Sequence, residues 1–209
     1  MNILVILAHP DPQSFNHAIA EAAGGALNSA RHQVLFHDLC KEQFPPNLPA
    51  EERSEYGIVP PLIEQHCREL RESDGIIVIH PNWWGQPPAI LKGWIDRVFR
   101  AGVAYKFQEK DRGEGIPVGL LRAHTALVFN TSNTPPEREQ AAFGDPLETI
   151  WKNCIFDLCG VKVFHRRMFS VVVTSTLEER KQWLKEVQVV VGRYFPENTV
   201  SSKAKVMLP

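Results

Sequence analysis

Five short runs along the chain are almost continuously apolar and rich in β-branched residues: Ile3–Ala8, Val34–His37, Gly75–His80, Thr125–Asn130 and Val161–Phe164. Runs of this length without polar alternation are the pattern of strands buried on both faces, which predicts a parallel sheet. Between them the apolar spacing changes to a helical period, predicting helices over Phe15–Ala30, Pro61–Ser73, Pro88–Ala101, Leu147–Leu158 and Leu177–Tyr194. Alternating strands and helices predict a doubly wound α/β domain with five parallel strands; a barrel would need eight such units and a longer chain. In the segment after Pro88, Ile90, Leu91, Trp94, Ile95 and Val98 form one stripe, and Lys92, Asp96 and Arg97 fall largely on the other face. Ser175 and Glu178 have the S-x-x-E spacing of a capping box ahead of the last helix. The run Phe169–Val173 reads as a further strand or an edge extension.

Two stretches interrupt this economy. Lys41–Pro60 is rich in Pro and Glu, and Ala104–Arg122 in Gly and charge. Loops of that length inside a compact domain are usually functional or disordered. Residues 1–196 are expected to form the domain, and 197–209 a tail that is frayed or laid against a partner subunit. The length of 209 residues suits one such domain. With 23 basic and 24 acidic residues the formal net charge is -1, which leaves no basic stripe for a phosphate backbone and argues against nucleic acid. Cys40, Cys67, Cys154 and Cys159 contain no C-x-x-C pair, so a reduced, cytoplasmic protein is expected. The N-terminus runs straight into a strand pattern and no apolar run approaches membrane length, so neither secretion nor membrane insertion is expected.

In an open parallel sheet, ligands bind beyond the carboxyl ends of the strands, which directs attention to three loops. The first, His9–Ala18, opens a helix whose N-terminal N–H groups and dipole suit an anionic phosphate. Read alone, Ser14 or Asn16 is equally a helix cap. Neither a Walker A loop nor G-x-G-x-x-G occurs, and the spacing of His9 and His17 to His80 or His124 gives no reason to expect a metal. The second loop, His80–Pro88, holds Trp83 and Trp84 in a proline-braced turn, suited to a planar ring or, more plainly, to a subunit contact. The third, Asn130–Pro136, supplies small polar groups. Together they suggest one ligand with an anionic end and a flat heteroaromatic end, the shape of a flavin phosphate. A flavin carries its own hydride chemistry, which agrees with the lack of an obvious nucleophile–base pair.

A-H-P at the end of the first strand, S-F-N-x-A after it, and P-A-I-L-K-G-W-x-x-R-V-F over Pro88–Phe99 resemble the flavodoxin-like NAD(P)H:quinone reductases and their bacterial relatives. The resemblance implies a flavodoxin-like sheet of order 2-1-3-4-5, non-covalent FMN or FAD, NAD(P)H as reductant, a ping-pong cycle, a quinone or other small aromatic acceptor, and a homodimer with sites at the subunit interface. It implies that His9, Ser14, Phe15, Asn16 and Ala18 hold the phosphate and ribityl end, and that Pro81, Asn82, Trp83, Trp84 and Gly85 border the ring. The family's T-T-G-G stands here as Thr131, Ser132, Asn133 and Thr134, without the close backbone approach glycine allows. Tyr105 matches a tyrosine of the family's acceptor pocket, but Phe107 and Phe143 replace a second tyrosine and the histidine of the animal enzymes, so no Tyr–His proton relay is expected. Azo and nitroaromatic compounds are alternative acceptors. Other readings of the same site are an ancillary subunit of a potassium-efflux transporter and a flavodoxin-type electron carrier; the near-neutral charge weakens the carrier reading.

Overall fold

A computed structural model describes residues 1–53, 57–108, 115 and 117–197. Its centre is a five-stranded parallel sheet in the order β2-β1-β3-β6-β7, the order expected from the resemblance. The strands are β1 (Asn2–Leu7), β2 (Gln33–Asp38), β3 (Gly75–Pro81), β6 (Thr125–Thr131) and β7 (Val163–Phe169). Every residue of β3 and β6 is buried, because helices cover both faces. Leu4, Ile6, Ile76, Val78, Ala126 and Val128 point to one side, which α2 (Pro61–Glu72) and α3 (Ala89–Val98) cover. Ile3, Val5, Ile77, Ile79, Leu127 and Phe129 point to the other, under α1 (Phe15–Ser29) and α6 (Leu177–Tyr194). Each such side chain contributes roughly 1.5–3 kcal/mol of burial, and a one-residue register slip would send the whole set to the wrong face.

Several sequence expectations need correction. The fifth strand is Val163–Phe169, so it neither starts at Val161 nor continues through Val173. The capping box is Thr176 with Glu179, one residue along from Ser175 and Glu178: the Thr176 Oγ1 accepts from the Glu179 N–H, and the Glu179 carboxyl accepts from the Thr176 N–H. Leu147–Leu158 is a short helix α5 (Pro146–Thr149) running into a π-helical stretch, Ile150–Asp157. A helix α4 (Pro136–Phe143) was not foreseen; two prolines masked its start, although Pro at the first helical position lacks only an N–H that has no intrahelical partner. Within Ala104–Arg122, β4 (Tyr105–Lys106) and β5 (Val118–Gly119) form a small antiparallel pair. The rest of that excursion, 109–114 and 116, and the tail after Glu197 lie outside the described residues.

Arg97 is the instructive exception. Expected on the outward face of α3, it is 3% exposed and bonded bidentately to Glu52, with a further bond from its Nη1 to the Pro45 carbonyl at 2.6 Å. A Cβ on Gly93 would collide with Pro46, and the Trp94 Nε1–H donates to His66 Nδ1 at 3.0 Å. Gly93 and Arg97 thus seat Pro45, Pro46 and Glu52 on α3, and Trp94 ties α3 to α2.

Candidate functional site

The carboxyl ends of β1, β3 and β6 open into one cavity of about 700 Å³. It gathers His9, Ser14, Phe15 and Asn16 from the first loop, Pro81–Gly85 from the second and Thr131–Thr134 from the third. Ala18 and Tyr105 are not among the lining residues: Ala18 lies one turn further into α1, and Tyr105 sits on β4 with its ring edge-on to Phe107. Glu139, Phe143, Pro146, Val172 and Val173 also line the cavity. Phe143 stands where the resemblance puts a histidine of the animal enzymes; sequence reasoning missed the other four because they reach the site through α4, the start of α5 and the turn after β7, which the apolar pattern did not define.

At the α1 end, Ser14 does both things its residue type allowed. It is the N-cap, its Oγ accepting from the His17 N–H, and it faces the cavity. His17 is held between Ser14 Oγ at 2.9 Å and Asp38 Oδ2 at 3.1 Å, while Asp38 Oδ1 accepts from the Cys40 and Lys41 N–H groups. This chain of bonds ties the start of α1 to the end of β2. The N–H groups of Phe15 and Asn16 have no carbonyl one turn back within the helix, which leaves them to a ligand. Asn16 is buried; its Nδ2 donates to Thr131 Oγ1 at 3.0 Å, and its Oδ1 has no partner. A buried orphan acceptor of this kind calls for a donor from outside the protein. His9 Nδ1 accepts from the Asp11 N–H at 3.1 Å, so a neutral ring carries its proton on Nε2 as a donor. Burial is the main cause that pulls the His9 pKa down.

The other end is an aromatic turn. Trp83 and Gln86 exchange backbone bonds of 3.1 and 3.0 Å around Trp84 and Gly85, which have φ of 57° and 70°. Positive φ at both central positions is the pattern of a type I′ turn, natural for Gly85 and strained for a tryptophan. The Asn82 side chain braces the turn, accepting from the Gly85 N–H at 3.0 Å and donating to Glu139 Oε1 at 2.9 Å. Trp84 is 100% exposed and Trp83 44%. Beneath the turn, His80 is wholly buried between the Trp151 Nε1–H, which donates to its Nε2, and the Pro81 carbonyl, which accepts from its Nδ1. Both bonds need the neutral ring, and burial holds the His80 pKa down at about 4. Arg166 clasps Asp145 with bonds of 2.8 and 2.9 Å and so fixes the turn between Phe143 and Pro146.

Away from the cavity, His37, Glu42 and His66 bring ligand atoms within 4.8 Å of one another, a spacing fit for a metal ion. The hydrogen bonds argue for a different use. Because Trp94 donates to His66 Nδ1, the neutral ring keeps its proton on Nε2, the atom a metal would need bare. His37 reaches Glu42 with one nitrogen and Glu69 with the other. The cluster clamps β2 to α2.

Residues 1–190 match the family described as "Flavodoxin-like fold". The chain is 33% identical over 174 residues to a Haemophilus influenzae protein named "Uncharacterized NAD(P)H oxidoreductase", spanning 81% of this chain and 84% of that one. It is 28% identical over 214 residues to "NAD(P)H dehydrogenase [quinone] 1" of Rattus norvegicus, across 90% of this chain and 76% of the relative. Among solved structures, Smu.1420 from Streptococcus mutans superposes with a TM-score of 0.79 at 29% identity, over 92% of this chain and all of that one. No helix of the described residues is long and apolar enough to cross a membrane.

Proposed function

This chain belongs to the family with the flavodoxin-like fold, and on that premise we propose that it is a flavin-dependent NAD(P)H oxidoreductase that passes hydride to a quinone or similar aromatic acceptor. The observation that carries the reading is the polarity of this cavity: N–H donors and the orphan Asn16 Oδ1 at the α1 end, a tryptophan turn at the other. That division suits a phosphorylated ribityl chain joined to a flat ring. The names of the curated relatives support the same activity. The bound flavin would supply two-electron hydride chemistry.

The protein's part is placement. The N–H groups of Phe15 and Asn16, with the His9 Nε2–H, would hold the phosphate, Asn16 Oδ1 would accept from a ribityl hydroxyl, and the 83–86 turn would border the ring. With the 83–86 turn covering one side of the cavity, nicotinamide and acceptor would have to use the remaining opening in turn, the arrangement of a ping-pong cycle. Among the described residues no Tyr–His pair lines the cavity, and water would supply the acceptor's proton. Trp84, Phe143 at 55% and Val173 at 71% exposure leave an apolar rim, and a second copy of the chain is the proposed cover. The four free cysteines agree with a reducing, cytoplasmic setting.

The test is anaerobic titration of the purified protein. A flavin absorption band that bleaches with NADH or NADPH and returns with a quinone, together with parallel double-reciprocal lines, is expected. Intersecting lines would overturn the shared-face cycle, and a protein that binds neither FMN nor FAD would overturn the flavin reading.

A further inference from the structure

We propose that Glu139 sets the redox balance of the flavin this cavity takes, its carboxylate opposing the negative charge that a reduced ring gains and so holding the reduction potential down. The inference rests on the flavin reading above and deepens it.

Three carboxyl side chains are buried among the described residues: Asp38, Glu52 and Glu139. Asp38 faces His17 and Glu52 is clasped by Arg97, so each has a basic partner. Glu139, 2% exposed, has none; among the described residues its side chain accepts only from the neutral Asn82 amide, through Oε1 at 2.9 Å. It is also the one carboxyl among the residues lining the cavity. A buried acid without a basic side-chain partner is rare in protein interiors. Its place follows from the fold: the first turn of α4, where the helix dipole favours an acidic side chain, delivers it between the tryptophan turn and the loop after β6.

That position gives it a consequence for reduction. A hydride carries two electrons and one proton, so a flavin ring that accepts one gains one negative charge unless a second proton follows, while the nicotinamide leaves as NAD(P)⁺. A fixed carboxylate across a partly water-excluded cavity repels that charge more strongly than water would allow. The cavity therefore favours oxidised over reduced flavin, and the bound cofactor becomes a stronger reductant toward its acceptor. At the far end, the α1 donors hold the phosphate in both redox states and leave the ratio unmoved.

The experiment is potentiometric titration of flavin-loaded protein against a reference dye, with separate binding titrations of oxidised flavin. Glu139→Gln keeps an oxygen for the Asn82 N–H and removes the charge. The expected result is an oxidised-flavin Kd within about threefold of the parent and a shift of about tenfold or more in the ratio of reduced to oxidised affinity, which raises the two-electron potential by ~30 mV. Glu139→Asp, which retains the charge, should stay within about twofold of the parent ratio. An unmoved ratio in Glu139→Gln, or an equal shift in Glu139→Asp, would overturn the proposal and leave Glu139 as a brace for Asn82. A parent that binds no flavin removes the flavin reading and this inference together; a parent that binds flavin with a ratio insensitive to Glu139→Gln removes this inference alone.

Discussion

At the α1 end of the cavity the working groups come from one continuous stretch, His9–Asn16, whereas at the tryptophan end they come from β3, β6, α4 and the turn after β7. The first end is held by an ordinary device, a capped helix start tied to β2 through Ser14, His17 and Asp38. The second holds Trp84 in a left-handed conformation with its side chain wholly in solvent, and rests on a histidine that must stay neutral. An anion can be gripped by local backbone geometry, but a ring needs walls, and walls must be brought from several parts of the chain. The tryptophan end should accordingly be the more fragile of the two.

The largest expected effect is on the grip at the α1 end. Asn16→Asp sets a carboxylate beside the phosphate, and flavin affinity should fall about 100-fold, ~2.8 kcal/mol at 1.4 kcal/mol per decade. Flavin titration with fluorescence detection checks it; parent-like affinity would place the phosphate elsewhere.

Acid should act on the other end first. The folded pKa of His80 lies at about 4, below its ordinary 6.5. The unfolded state therefore binds the extra proton more readily, and the stability due to neutral His80 is full above about pH 6.5 and lost as pH falls toward 4. By pH 5 the loss is on the order of 2 kcal/mol. Denaturant midpoints and tryptophan emission at pH 7, 6 and 5 should show the 83–86 turn loosening along with this loss. A His80→Asn variant with the same pH slope as the parent would contradict the assignment. His66, its pKa lowered to about 4 mainly by burial and by His37, adds a loss of the same sign at the β2–α2 clamp.

Trp84→Asn separates stability from binding. Asparagine tolerates positive φ, and the Trp84 side chain is fully exposed among the described residues, so stability should hold or rise by up to about 1 kcal/mol. Flavin affinity should fall roughly tenfold, ~1.4 kcal/mol. Loss of both would mean the ring is a structural prop.

The smallest effect is expected at Tyr105. It stands on β4 and not among the residues lining the cavity, so Tyr105→Phe should change kcat by less than about tenfold and leave flavin affinity alone. A large loss would show that its hydroxyl reaches the acceptor, through a partner subunit.

The same division between local and assembled structure explains what could be read from the chain. Buried strands announce themselves by continuous Ile, Val and Leu, so the parallel sheet was legible, while its strand order followed from the family resemblance. Ser14, Phe15 and Asn16 were legible because a strand–loop–helix start is local. Glu139 was not, since a Pro-Pro start and a charged first turn conceal α4, and Phe143 was marked only through the family resemblance. Arg97 misled for a related reason: its burial depends on Glu52, 45 positions away, in a stretch that reads as a loop. Gly93, part of the motif that carries the resemblance, packs against Pro46.

The central claim is that one flavin spans the two unlike ends of this cavity. A crystal structure of the protein soaked with FMN tests it most directly. The account predicts the phosphate within hydrogen-bond reach of the Phe15 and Asn16 N–H groups, the ribityl chain against Asn16 Oδ1 and the ring along the 83–86 turn. FMN bound elsewhere, or with its ring at the α1 end, would contradict it.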